Sequence, residues 1–406
     1  MMKKFVLVIL DGMADEPEGT LLEECNTPNL DEICLKGSMG TLSVLPKSER
    51  LPQSDEAIFS LLGMDTGKGY PGRGPVEALG CGCIKERDKN YLALRTNFET
   101  VDSRGSIWDS KIKDRRVGRS LTTKEAKTLG KLLNGIDIGC DFTFMPTVEH
   151  RGVLVLKGKF GKAGDTDPSY SGDGRPRKSG LRELDSFVEQ SHELLPSHKI
   201  NKERAGKGML QANAVLTRDA GSRLPDMKSV MSSYGMRWCA IVGMPLETGI
   251  AKVCGMKIRR FKYPEISEKS LKDLYGKHFH PSLEKTSRMS AKLLEDNFDD
   301  FDAFWLHLKE FDIAGHDGRR GDKKKMIETA DRNLFSFLNG LGAAVVVTSD
   351  HATPCRLKSH SKDRVPLVLY GKADGRKKAF SEKDFLKGSL GNIKGHELIT
   401  KILGMI

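Results

Sequence analysis

Apolar residues in this chain gather in short unbroken runs. Phe5–Leu10, Phe304–Leu308, Ala343–Thr348 and Val365–Tyr370 carry almost no polar alternation. Continuous runs of this kind suit parallel strands buried on both faces. Helix-like stretches separate them. In TPNLDEICLKG (27–37), a Thr cap, a Pro at the first helical position and a closing Gly predict a helix directly after the first strand. Strand-then-helix order recurs near the C-terminus, so the pattern predicts a doubly wound α/β fold.

The middle of the chain breaks this rhythm. Residues from about 85 to 185 mix charged turns with short strand candidates such as GVLVLKG (152–158) and a Gly/Ser/Pro-rich loop, GKAGDTDPSYSGDGRPRKSG (161–180). Single cores seldom grow beyond roughly 250–300 residues, and the chain has 406. The expectation is a main domain of residues 1–84 and 186–406 with a smaller α+β domain, 85–185, inserted in it. No internal repeat or low-complexity tract is visible.

Composition narrows the function. With 38% apolar and 30% charged residues the chain can build sizeable cores. Lys and Arg outnumber Asp and Glu by 66 to 55. That excess fits anionic small substrates such as phosphate esters as well as nucleic acid. No basic stretch is interleaved with aromatics and no zinc-finger or RNP-like pattern occurs, so nucleic acid is not the expected partner. The opening MMKKFVLVILDGMAD has an apolar run too short for a signal peptide core and reads as the first strand. No run approaches the roughly 20 residues of a membrane span. The eight cysteines lack CxxC spacing, Cys81-Gly-Cys83 being the one close pair, so reduced thiols in a cytoplasmic protein are expected.

The chemistry lies where the apolar runs stop. Asp11 follows the first run, Asp312 and His316 follow the second, and Asp350 and His351 the third, with His360 nine residues on. An Asp after a strand is commonly a turn residue or helix cap. Three strand ends carrying Asp, two of them with His, point instead to one site beyond the carboxyl ends of a sheet. Carboxylates and imidazoles together suit Mn²⁺ or Zn²⁺. The Asp312-x-x-x-His316 spacing fits one helix face or a tight loop, with Gly315 favouring the loop. His307, inside an apolar run, reads as a core histidine or one supporting a ligand. In LPQSDEAIFSLLG (51–63), Ser54 is either a helix cap, with Ala57 where a capping box wants Glu or Gln, or a nucleophile beside exposed backbone amides. A serine hydroxyl needs a base or a metal to react.

Asp11 in ILDG, Ser54 in PQSDEA, and the segments DIAGHDG, SDHATPC and HSKDRVP together resemble the alkaline phosphatase superfamily. GYPGRGPVEALG, TNFETVD, DRRVGR, EHRGVLVL, DTDP, NKERAGKG and KGSLGNIKGHEL extend the likeness along nearly the whole chain. More narrowly, they resemble the archaeal-type 2,3-bisphosphoglycerate-independent phosphoglycerate mutases. The resemblance implies an alkaline-phosphatase-like core and two divalent ions, Mn²⁺ or Zn²⁺, without 2,3-bisphosphoglycerate. Asp11, Ser54, Asp350 and His351 would hold one ion and Asp312, His316 and His360 the other. Ser54 would become phosphoserine while 3-phosphoglycerate and 2-phosphoglycerate interconvert in glycolysis and gluconeogenesis. Arg73, Arg95, Arg116, Arg119, His150 and Arg151 match family motifs and are candidates for the substrate's anionic groups. Two departures stand out. Gln53 replaces the Gly usual before the serine, and the phosphate-binding lysine expected from residues 261–290 could be Lys269, Lys272 or Lys277. KIRRFK and GRRGDKKK read as solvated faces.

A phosphatase or a homoserine-kinase-like enzyme on the same site is the closest alternative. No GxxxxGK[ST] loop supports ATP use. A non-catalytic relative would have lost ligands, and all seven expected positions are filled.

Overall fold

The computed structural model describes residues 4–16, 19–46, 48, 50–66, 70–102, 105–169, 174–266, 273–371, 373, 375 and 379–406. Strands in chain order are β1 (Phe5–Leu10), β2 (Gly37–Ser43), β3 (Tyr91–Val101), β4 (Ile112–Asp114), β5 (Phe142–Pro146), β6 (Arg151–Lys157) and β7 (Ala214–Gly221). They continue with β8 (Trp238–Val242), β9 (Lys257–Arg260), β10 (Ala303–Leu308), β11 (Ala344–Thr348), β12 (Val365–Tyr370) and β13 (Gly391–Lys394). Eight of them form one sheet, in the order β13-β2-β12-β11-β1-β10-β8-β9. All six residues of β1 are fully buried at its centre. Val6, Val8 and Leu10 join the hydrophobic cluster on one face, while Phe5, Leu7 and Ile9 join that on the other. Each such side chain contributes roughly 1.5–3 kcal/mol by leaving water. This two-sided burial explains the unbroken apolar runs.

β1 runs parallel to β10 and β11, and β10 parallel to β8, which sets their carboxyl ends on one edge. β12 departs from the expectation of parallel strands. It is antiparallel to both β11 and β2. The chain between β11 and β12 forms no helix, so it turns back at the same edge instead of crossing over. The expected helix forms as Pro28–Leu35, with Thr27 at its cap position but no side-chain cap bond, and Gly37 opens β2.

The second sheet, in the middle of the chain, is antiparallel. β3 pairs with β6, β6 with β5, and β4 and β7 also pair with β3. Its core includes Leu94, Phe98, Phe144, Leu154, Leu184, Phe187, Val215 and Leu216. The boundary expected at residue 185 therefore falls short. It cuts the helix Arg182–Leu194, which packs on this sheet, and leaves out β7, whose pairing with β3 carries the layer to Gly221. Sequence separation hid β7, because long-range strand pairing leaves no local mark.

The helix Arg73–Cys81 joins the two layers. It crosses the helix Pro245–Val253 at glycines: a Cβ on Gly80 would lie 1.8 Å from Pro245 O, and one on Gly249 1.9 Å from Val76 O. Ala78 and Leu79 then pack against Tyr91, Ala93, Val153 and Val155 of the second sheet. No helix of the described residues is long and apolar enough to cross a membrane.

Candidate active site

The carboxyl ends of β1, β10 and β11 bring the candidate acids and histidines together. Asp11, Asp350 and His351 are buried there, and each offers a ligand atom within 4.8 Å of the others. Asp312, His351 and His360 form a second such group. His316 joins it, with Nε2 3.4 Å from Asp312 Oδ1, while His360 Nε2 lies 3.5 Å from the same oxygen. His351 stands between the groups, its ring stacked on His360 at 3.7 Å. Asp312 and His316 lie on a helix, Glu310–His316, and not in the loop that Gly315 suggested. The glycine serves packing, since a Cβ there would lie 2.4 Å from Thr353 O.

The histidines are oriented alike. His316 Nδ1 is 3.0 Å from Lys358 O and His360 Nδ1 is 2.6 Å from Pro52 O, and a carbonyl can only accept. Thr353 Oγ1 donates to Asp312 Oδ1 at 2.9 Å and so accepts from His351 Nδ1 at 3.0 Å. Each ring thereby turns Nε2 inward, as a ligand histidine held by an outer partner does.

The carboxylates are arranged similarly. Asp350 Oδ1 accepts from the backbone N–H of Gly12 and His351, while Oδ2, like Asp11 Oδ1, is buried without a hydrogen bond. Burial opposes the charge of Asp11, yet Lys309 and His351 hold its pKa below the ordinary carboxylate range. His351 is pushed up to about 9 despite burial, because Asp350 and Asp11 favour its cation. A pocket of buried negative charge with inward-facing nitrogens and unfilled carboxylate oxygens fits divalent cations. His307 lies just below, Nδ1 3.2 Å from Glu247 Oε1 and Nε2 3.8 Å from Asp350 Oδ2. It buttresses Asp350, in line with a supporting role.

Ser54 opens the helix Ser54–Leu61, with Oγ 3.3 Å from His351 Nε2. Gln53 takes the cap position without a capping bond, and its side chain lies 3.4 Å from His360 Nδ1. The helix start gives Ser54 backbone N–H groups able to hold an anion.

Ser54 lines a cavity of about 140 Å³. Asp312, His316 and His360 line it on one side, and Arg73, Arg95, Arg116, His150 and Arg151 line it on the other. Arg119 does not line it, because its guanidinium meets Asp317 Oδ1 at 3.0 Å. Asn97, Arg115, Arg218 and Lys309 complete the wall and were missed. Arg95 and Arg218 are direct partners across β3 and β7. Like charges so placed repel unless an anion joins them. Burial, Arg73 and Arg218 disfavour the charge on Arg95, while Glu77 and Asp219, the latter 3.6 Å away, partly offset them. Asp167 accepts from Arg115 and lies 3.1 Å from Arg218 Nε, fixing both. His150 is buried among Arg151, Arg116 and Arg119, which with desolvation keep it neutral at physiological pH.

No lysine of 261–290 takes the expected place among the described residues. Lys277 pairs with Asp273 at 3.0 Å, and Lys269 and Lys272 lie outside the described residues. Lys309, just after β10, is the lysine that lines the cavity among the described residues, contacting Asp11 and lying 4.0 Å from Glu247. GRRGDKKK is not wholly solvated either. Lys323 is fully buried, donating to Ala14 O at 3.0 Å and Thr353 O at 2.9 Å, and so ties together the loops after β1 and β11.

The family model described as the metalloenzyme superfamily matches residues 3–404. The chain belongs to that superfamily. Within the metalloenzyme superfamily it is 35% identical to the 2,3-bisphosphoglycerate-independent phosphoglycerate mutase of Aeropyrum pernix, covering 99% of each chain. It is 33% identical to the enzyme of that name from Pyrococcus abyssi, over 100% of this chain and 98% of the other. These relatives place it in the 2,3-bisphosphoglycerate-independent phosphoglycerate mutase family. Among solved structures it resembles a Pyrococcus horikoshii protein, with a TM-score of 0.74, 27% identity and coverage of 100% and 97%. The cofactor-independent phosphoglycerate mutase of Thermoplasma acidophilum aligns with a TM-score of 0.53 at 26% identity, covering 99% of both chains.

Proposed function

We propose that this metalloenzyme interconverts 3-phosphoglycerate and 2-phosphoglycerate through a phosphoserine at Ser54, without 2,3-bisphosphoglycerate. The supporting observation is Ser54 itself, set at a helix start between the acid–histidine cluster and a wall of arginines. Asp11, Ser54, Asp350 and His351 would hold one divalent ion and Asp312, His316 and His360 the other, with His351 in reach of both sets. Mixed carboxylate and imidazole ligands suit Mn²⁺ and Zn²⁺ alike. When bound, the ions would make the serine hydroxyl a stronger nucleophile and offset phosphoryl charge.

The chain's own residues then divide the work. Ser54 Oγ attacks phosphorus in line, and the 3-oxygen of glycerate leaves. Arg73, Arg95, Arg115, Arg116, Arg151 and Arg218 bind the carboxylate and phosphate, for which the guanidinium fork is suited. Neutral His150 can donate to or accept from a glycerate hydroxyl. Lys309 supplies a cation beside the reacting phosphoryl group. Glycerate turns within the cavity, and its 2-hydroxyl takes the phosphoryl group back from the serine. A cavity of about 140 Å³ has room for a small phosphate ester such as a three-carbon acid. The eight free cysteines support work in a reducing cytoplasm.

The deciding experiment strips metal with chelator, restores Mn²⁺ or Zn²⁺, and follows 3-phosphoglycerate isomerisation without bisphosphoglycerate. Activity should vanish and return with metal, and Ser54→Ala should not respond. Full activity in chelator or in Ser54→Ala would overturn the mechanism. Inorganic phosphate in place of 2-phosphoglycerate would favour a phosphatase, and dependence on ATP a kinase.

A further inference from the structure

Three consecutive residues, Val117, Gly118 and Arg119, have φ of 49°, 60° and 55°, the one such run among the described residues. The left-handed conformation presses the Cβ of an L-residue against the next carbonyl, and a β-branched valine tolerates it poorly. Neighbouring groups hold the turn. Asp114 Oδ1 accepts the N–H of Arg116 and of Gly118, both at 2.8 Å. Arg204 donates to Ser120 Oγ at 2.7 Å and Ser120 O at 3.3 Å. The Val117 side chain is fully buried in the core of the second sheet.

The turn directs Arg119 out of its own layer. The guanidinium meets Asp317, which directly follows His316 in the catalytic half. Asp317 Oδ2 also accepts from Tyr275 Oη at 2.7 Å, and Arg319 covers the Tyr275 ring at 4.3 Å. The Arg119 side chain is 10% exposed and that of Asp317 30%, so the pair is partly shielded from water and further held by Tyr275. Backbone strain persists where the surroundings enforce a particular placement. Here the placement is an ion pair that joins the two layers beside the cavity, next to the lining residues Arg116 and His316.

We propose that Arg119 is a positioning residue whose ion pair with Asp317 latches the second-sheet layer over Ser54 and keeps water from the phosphoserine. This rests on the phosphoserine reading above. In an open cleft a water oxygen would bond to phosphorus as the Ser54 Oγ–P bond breaks. One water proton would pass to the serine oxygen, releasing inorganic phosphate and stranding unphosphorylated glycerate. The latch thus decides between mutase and phosphatase outcomes.

The test uses the full chain loaded with Mn²⁺ and counts both 2-phosphoglycerate and inorganic phosphate formed from 3-phosphoglycerate. Wild type should form almost exclusively 2-phosphoglycerate. Arg119→Met should raise the ratio of phosphate to 2-phosphoglycerate at least tenfold, and Arg119→Lys should restore part of the loss. Arg119→Asp with Asp317→Arg should bring the ratio back below that of either single change. An unchanged ratio in both Arg119→Met and Asp317→Asn, whatever their rates, overturns the latch alone. A wild-type protein that does not isomerise overturns the phosphoserine reading, and the latch with it.

Discussion

The two walls of the cavity are built by opposite means. On the acid–histidine side Asp11, Asp350 and His351 sit at the carboxyl ends of buried parallel strands, Asp312 and His316 on the helix after β10, and His360 between β11 and β12. Each of the three site histidines has Nδ1 held by a carbonyl or a threonine hydroxyl. On the arginine side the donors come from the start of the helix Arg73–Cys81, from β3, β6 and β7 and from the segment after β4, and Arg95 and Arg218 face one another across two strands. One wall is satisfied by its own chain apart from the oxygens that face a cation. The other pairs its guanidinium groups with carboxylates behind them, Arg73 with Glu77, Arg95 with Asp219, Arg115 and Arg218 with Asp167 and Arg151 with Glu149, and turns the remaining donors to the cavity.

The largest effect expected from breaking this division is at the serine between the walls. Ser54→Ala should lower isomerisation by roughly four orders of magnitude or more, as loss of a covalent route does. Equilibrium dialysis of the variant against 3-phosphoglycerate should find the substrate still bound, because the arginine wall is intact. Loss of binding as well would mean that the walls are not separable.

On the acid–histidine wall, Thr353→Val removes the hydroxyl that joins His351 to Asp312. Outer partners of ligand histidines are worth about 10–100-fold in metal affinity. Competition with a chelating dye should show a loss of that size. His360→Ala should cost one ion per chain and His351→Ala should weaken both, as metal analysis after dialysis would reveal; identical losses would refute the shared position of His351.

On the arginine wall the effect is smaller and falls mainly on binding. Arg95→Met should raise KM about tenfold while changing the stability of the substrate-free protein by about 1 kcal/mol or less, since burial and repulsion from Arg73 and Arg218 oppose the attraction of Glu77 and Asp219. Thermal melts with and without phosphate separate the two effects. A clear loss of stability without ligand would show that the repulsion is already neutralised within the protein.

The difference between the walls also governs what could be read beforehand. Asp11, Asp312, Asp350 and their histidines were legible because each closes an apolar run, and strand ends are visible in a hydrophobic pattern. Arg115 and Arg218 were not. Arg115 and Arg116 are adjacent in DRRVGR, yet Arg119 of the same motif turns away, and only the left-handed turn distinguishes them. Arg218 gains its place from pairing with Arg95, 123 residues earlier in the chain. A cross-strand partner at that distance has no local signature. Lys309 offered a signal that was passed over: it lies two residues beyond His307, at the mouth of a strand whose acid and histidine had been noticed. Lys323 offered none, since a charge run gives no hint of which member the fold will bury.

The antiparallel return of β12 has a consequence for motion. The segment from Ser349 to Arg364 leaves β11 and comes back as its hydrogen-bonded neighbour, so both ends of the stretch bearing Asp350, His351 and His360 are anchored in the central sheet. Bridges from Ala352 to Met13 and Ser361 pin its middle as well. Local opening draws on the least stable parts of a protein, and sheet centres open last. Amide protons of β11 and β12 should therefore outlast those of the turn at Val117–Arg119 in hydrogen exchange. Breathing of the cleft is then left to the arginine wall, while the acids and histidines keep their spacing through the catalytic cycle.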